Sequence, residues 1–145
     1  LIAKARAAPR RRSHHNLHTD PAGPAHRMLV AIEPDSYVRP HCHLDPAKAE
    51  TIIVLRGRLG TLIFDAAGQV LDARVMAPGA DVFGYDVPPG VFHSIVALES
   101  GTVFVEAKAG PYAVPLEAEW GGWAPAEREA GGPAYLALLQ GRLAG

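Results

Sequence analysis

The sequence predicts an all-β protein, a sandwich or barrel of short strands with short helical additions at its ends. Three observations predict it. The chain has 15 glycines and 13 prolines among 145 residues, which favours many turns over long helices. Short apolar, β-branched runs recur every eight to twelve residues with turn residues between them, the spacing of a sandwich or barrel. Apolar residues make up 48% of the chain, enough for one domain of this length to bury its own core.

The elements follow in order. Leu1 to Ala8 reads as the end of a helix, stopped by Pro9. Arg10 to His18 is a basic, histidine-rich arm, and Thr19 to Pro24 is a turn-rich loop. Strands are expected at Met28–Ile32, Ser36–His43, Thr51–Leu55, Leu59–Phe64, Val70–Met76, Val82–Val87, Val91–Leu98 and Thr102–Lys108. Thr51–Leu55 is almost all β-branched or aliphatic, as in a strand buried on both faces. Arg56-Gly57-Arg58, Asp65-Ala66-Ala67-Gly68 and Glu99-Ser100-Gly101 supply turns. Gly110 to Pro125 is irregular, with Trp120 and Trp123 expected to anchor it. Leu136, Leu139 and Leu143 share one helical face, so Pro133–Leu143 is expected to dock as a helix. The resulting organisation is an arm over residues 1–26, a barrel over 27–110 and a C-terminal extension packing on it over 111–145.

Composition excludes several function classes. A net charge of −1 argues against nucleic acid or an anionic membrane as partner. No apolar run is long enough for a transmembrane helix. The basic start lacks the apolar run of a secretory signal. A single cysteine allows no intrachain disulfide, so a reducing, cytoplasmic setting is expected.

The chemistry concentrates in Pro40-His41-Cys42-His43, in Glu50, and in Pro88-Pro89-Gly90-Val91-Phe92-His93. On a strand, His41 and His43 point the same way and Cys42 the other. With Glu50 and His93 they form a candidate metal site with open coordination positions. Imidazole and carboxylate do not select among Zn, Fe, Mn and Ni. The competing reading is three buried, hydrogen-bonded histidines without a metal, with Glu50 an outer or surface carboxylate. Metal competes with protons for imidazole, so binding is expected to weaken below about pH 6.5. Cys42, out of phase with the pair, is expected to be a buried spectator.

Other residues have two readings each. Tyr37 and Arg39 are in phase with His41 and His43, so they either line the same cavity as substrate-binding residues or mark a strand end in solvent. Glu106 and Lys108 share a strand face. They form either an interior acid and base beside the metal or an exposed strand end. Arg10, Arg12, Asn16 and His18 read either as one side of a substrate entrance or as a solvated arm or pairing strand. Local chemistry alone favours the arm.

The spacing His41-x-His43, Glu50, Gly57 resembles the first cupin motif, with a longer gap before the glutamate than is usual. Pro89-Gly90-x-x-His93 resembles the second. Further segments resemble the WbuC-type cupin metalloproteins: Pro9 to Arg12 with Asn16-Leu17-His18, Glu33 to His41, Leu55 to Leu59, Pro88 to His93, Glu106 to Tyr112, and Trp123-Ala124-Pro125. That family commonly has Trp where this chain has Ala49, and often a basic residue where it has Cys42.

The resemblance implies a small cupin jelly-roll β-barrel with short terminal helices, one divalent metal on His41, His43, Glu50 and His93, and a homodimer. It links the chain to bacterial surface-polysaccharide synthesis and favours the basic arm as an anion grip. The expected function is a cytosolic metal-dependent enzyme for a small anionic, sugar-like substrate, with His18 or Glu106 moving a proton. The alternative is a non-catalytic, metal-dependent sugar-binding or sensor module.

Overall fold

In the computed structural model, which describes residues 1–144, two antiparallel sheets face each other. Gly145, the last residue of the expected C-terminal extension, lies outside the described residues. The elements are α1 (Ile2–Ala7), β1 (Arg12–Asn16), β2 (Ala25–Ile32), β3 (Glu50–Arg56), β4 (Leu59–Phe64), β5 (Val70–Met76), β6 (Gly84–Val87), β7 (Phe92–Ala97), β8 (Thr102–Ala109) and α2 (Gly132–Leu143), with a short 3₁₀ turn at Glu117–Glu119. One sheet runs β1-β2-β8-β3-β6 and the other β5-β4-β7. This is the all-β architecture of a jelly roll. No helix among the described residues is long and apolar enough to cross a membrane.

Alternation along the strands builds the interior. Register places Val30 beside Phe104 and Phe104 beside Val54, and these side chains meet Leu59, Met76 and Ala97 of the other sheet in one buried cluster. The same interior-facing register runs on to Glu106, Lys108 and Glu50. One end of the cavity between the sheets is therefore apolar and the other charged. The basic arm is part of this wall, since Arg12–Asn16 pairs with Ile32–Met28 as the outer strand of the larger sheet.

Two expectations are corrected. The doubly buried strand is β4, not β3. In β3, Ile52 and Val54 are buried while Ile53 and Leu55 are 41% and 51% exposed. In β4 every residue is buried, because α2 lays Leu136, Leu139 and Leu143 over its outer face against Leu62 and Phe64. Gly60 makes this possible: a Cβ there would lie 2.2 Å from Leu143 Cδ1. An aliphatic run alone cannot show which strand a helix will cover.

Ser36–His43 forms no ladder either. It contributes only isolated bridges at His41, to His93 and to Trp120. Pro34 precedes the segment and Pro40 interrupts it, and proline has no N–H to donate. In the tail, Trp123 packs against Phe64 and Phe92.

Glu33, immediately after β2, joins three separate segments. Its carboxylate accepts from Ser100 Oγ (2.6 Å), Gly101 N (3.0 Å) and Arg6 Nε (3.3 Å), and the residue is 3% exposed. Burial opposes its ionisation, but the bonds from Ser100 and Gly101 and the charge of Arg6 outweigh it and hold its pKa below the ordinary carboxylate value. A depressed pKa contributes stability above the unfolded value, and that stability is lost as pH falls through the folded value. Glu33→Gln should therefore lower unfolding stability at pH 7 by about 1–3 kcal/mol. The deficit should shrink below about pH 4. Denaturant titrations of both proteins at several pH values measure it, and a deficit independent of pH would contradict the ionised role.

Candidate metal centre

Three segments from both sheets deliver the site. Glu50 opens β3, opposite Val87 of β6 and Lys108 of β8. His93 is the second residue of β7, opposite Ile63 of β4. His41 is pinned beside it by a reciprocal pair of backbone bonds, His41 N to His93 O at 3.0 Å and His93 N to His41 O at 2.8 Å. The His43 carbonyl then accepts from Gly90 N at 2.7 Å, so the Pro-Gly turn before β7 fixes the second histidine too.

One donor atom from each of His41, His43, Glu50 and His93 lies within 4.8 Å of the others. Ring centroids are 4.5 Å apart for His41 and His93, and 5.3 Å for His41 and His43. The outer bonds set the tautomers. Nδ1 of His41 donates to Arg39 O, and Nδ1 of His93 donates to Val91 O, both at 3.0 Å. Each ring therefore turns an Nε2 lone pair inward. Nε2 of His93 is buried without a hydrogen-bond partner among the described residues. An orphaned lone pair is costly in a protein interior, and a divalent ion would satisfy it. The donor set thus fits a borderline metal.

The charges are arranged unequally. Burial, then repulsion from His93, pushes His41 down to about 3. That imidazole therefore stays a lone-pair donor far below the pH 6.5 expected from its ordinary value. Burial opposes ionisation of Glu50. The hydrogen bond from His43 (2.8 Å) and the charge of Lys108, whose Nζ lies 3.8 Å away, outweigh it and hold its pKa well below the carboxylate range. Glu106, also buried, is pushed the other way by burial and by repulsion from Glu50, although Lys108 Nζ lies 2.9 Å away. The two carboxyls thus differ in proton affinity within one cavity.

That cavity has a volume of about 230 Å³ and is lined by all four donors. Arg10, Arg12, Arg39, Glu106 and Lys108 also line it. Arg39 lies over the Trp120 ring at 5.5 Å and has a buried Nε without a partner among the described residues. Three candidates lie elsewhere. Tyr37 turns toward α2, its hydroxyl donating to Pro125 O at 2.8 Å, because the irregular segment breaks strict alternation. Asn16 ends β1 and is exposed. His18, beyond the strand, stacks on His26 with centroids 4.1 Å apart, away from the cavity.

Cys42 is buried and points away from the donors. Sequence reasoning missed His14, Trp120 and Glu127, which also line the cavity. His14 was within reach of the same arithmetic, being two residues beyond Arg12 on one strand face. Glu127 carried no signal, since it comes from the irregular tail.

Residues 1–76 match the family described as "Domain of unknown function (DUF6016)". The chain belongs to this family. The matched part of this DUF6016 chain holds His41, His43 and Glu50 but ends before His93. No curated protein matches it. Solved structures share its fold at low identity. KdgF from Halomonas sp. aligns with a TM-score of 0.56 and 17% identity, over 73% of this chain and 84% of that one. An oxalate oxidase aligns at 0.53 and 19%, over 71% of this chain and 52% of that one, so the chain spans about half its length. An RmlC-like cupin from Shewanella frigidimarina aligns at 0.50 and 15%, over 68% and 75%. The fold is that of the cupins.

The protein should take up about one divalent ion per chain, measured by elemental analysis after metal titration and desalting. His41→Ala and His93→Ala should each weaken binding by more than the roughly 10–100-fold lost with an outer partner. Cys42→Ser should leave it unchanged. Full retention of metal by either histidine variant would dismiss the site.

Proposed function

We propose that the protein is a metal-dependent enzyme acting on a small anionic, sugar-like molecule held between the two sheets. One observation carries the reading. The orphaned Nε2 of His93 faces two more imidazoles and a carboxylate, in a cavity whose walls also carry Arg39 and Lys108. A structural metal needs no such cavity, whereas a catalytic one does. When bound, the ion would polarise a carbonyl or hydroxyl, or acidify water.

The protein's own groups have separable roles in this reading. Arg39, stacked on Trp120, orients an anionic group of the substrate. Arg10, Arg12 and Lys108 extend the positive wall. The pKa of His14 records that field: burial lowers it first, and then Arg12, Arg10 and Lys108 lower it further. Glu106, buried and held by Lys108, takes a proton from carbon or oxygen and returns it. His18, stacked outside on His26, takes no part in this scheme. An isomerisation or epimerisation needs no more than such a transfer. The sugar-like substrate and the link to surface-polysaccharide synthesis rest on the WbuC resemblance. The oxalate oxidase neighbour names a small dianion as its own substrate, which supports an anionic ligand class.

A cytoplasmic setting accords with the lone, buried Cys42, whose thiol burial pushes up. A homodimer is supported by the free outer edge of β1 and by exposed Ile53, Leu55 and Phe83. Light scattering that gives a monomer at all concentrations would remove that part.

Metal-loaded protein should convert a member of a panel of sugar acids and sugar nucleotides, followed by proton NMR in heavy water. Glu106→Gln should lower kcat by about 10²–10⁴-fold with little change in KM. Arg39→Ala should mainly raise KM. Tight binding without turnover across the panel would instead favour the non-catalytic binding module.

A further inference from the structure

A second cavity, of about 690 Å³, lies outside the barrel between the N-terminal arm, the loop after β2, and α2. Its apolar surface comes from Tyr37, Leu136 and the rings of Pro9, Pro34 and Pro133. Its cations are Arg10, Arg12 and Arg128. Asp35 also lines it but is engaged by Arg11 at 2.9 Å. Arg128 is exposed and has no hydrogen-bonded or ion-pair partner among the described residues.

The remaining anion, Glu127, answers two arginines at once. Arg10 grips it through two bonds, Nε to Oε2 at 2.9 Å and Nη2 to Oε1 at 3.0 Å. Arg12 Nη2 reaches the same Oε1. Arg12 is otherwise fixed, its Nη1 donating to Ser36 Oγ (3.2 Å) and Tyr37 O (3.1 Å), and its side chain is only 8% exposed. A planar, forked, pre-positioned guanidinium pair is a carboxylate or phosphate receptor. Glu127 fills that receptor from within the chain. Arg10, Arg12 and Glu127 line both cavities, so the trio is the partition between them.

We propose that the outer cavity is a second binding site, for a small organic anion with a flat apolar body. Its carboxylate or phosphate displaces Glu127 from Arg10 and Arg12, and Arg128 supplies the free cation at the rim. The apolar body lies on Tyr37, Leu136 and the prolines. The site stands on its own residues, whether or not the metal cavity is catalytic.

The test uses three probes: phenyl phosphate, benzoate and inorganic phosphate. Each is titrated into isotope-labelled, metal-loaded protein and followed through backbone amide resonances. Phenyl phosphate or benzoate should shift residues 9–12, 34–37 and 127–140, and bind about tenfold or more tighter than inorganic phosphate. The stronger of the two identifies the anionic group. Glu127→Gln removes the internal competitor and should tighten binding about tenfold. Arg128→Ala, which breaks no hydrogen bond or ion pair among the described residues, should weaken it about tenfold and leave metal content unchanged. Shifts confined to the metal cavity, around Glu50, His93 and Trp120, would overturn the proposal. So would an unchanged affinity in Arg128→Ala, a readout that holds even where Glu127→Gln fails to fold.

Discussion

The reciprocal backbone bond between His41 and His93 is the contact on which the rest of the site depends. It joins a segment leaving the five-stranded sheet to a strand of the three-stranded one. Without it the sheets would still pack through Val54, Leu59 and Phe104. The imidazoles, though, would have no common origin. Two bonds at 3.0 and 2.8 Å align the backbones of residues 41 and 93, and their own carbonyl-bound Nδ1 atoms then fix both ring orientations. Any metal affinity of this site would therefore depend on sheet closure, since the donors exist as a group only when both sheets are in place.

The second constraint is the cost of burying charge. Glu50, Glu106 and Lys108 face one another within the cavity, with Lys108 Nζ 2.9 Å from Glu106 and 3.8 Å from Glu50. The hydrogen bond from His43 and the charge of Lys108 hold Glu50 low, while burial and then repulsion from Glu50 raise Glu106, so the pKa values of the two acids move in opposite directions. An apolar trio would pack there at less cost. Retaining the charged trio makes sense where a further positive charge visits the cavity, as a divalent ion beside Glu50 would.

How much of this was legible follows from which interactions are local. The histidine pair and the Pro-Gly-x-x-His turn are short-range patterns, and the four donors they pointed to do converge. The strands were legible wherever turns bracket an aliphatic run. What covers a strand was not legible, since the difference between β3 and β4 lies in a helix some 80 residues further along the chain. Phase arguments held where a ladder exists and failed where it does not. Glu106 and Lys108 sit in β8 and face inward as a pair. Tyr37 and Arg39 sit in a proline-broken segment, so equal spacing sends one toward α2 and the other into the cavity. His18 fails for a related reason, since it lies beyond the end of β1; Asn16 pairs with Met28 in the ladder but at the exposed end of the strand.

The basic arm shows why two readings of one segment need not exclude each other. Residues 12–16 pair as a strand, which is the structural reading. Pairing also carries Arg12 to the interior-facing side of the sheet, where its side chain is almost wholly buried. A buried guanidinium must be answered by an anion or bear a large desolvation cost. The burial of Arg12 indeed pulls its pKa down, while Glu127 pulls it up. The strand role thus creates the need for a carboxylate at that position, and the tail provides it from 115 residues away. Any ligand anion that reaches Arg12 meets this resident acid first. Occupancy of the arginines is therefore a competition between a group of the chain and a group of the solute. Its outcome is set by how tightly residues 125–129 are held against the barrel.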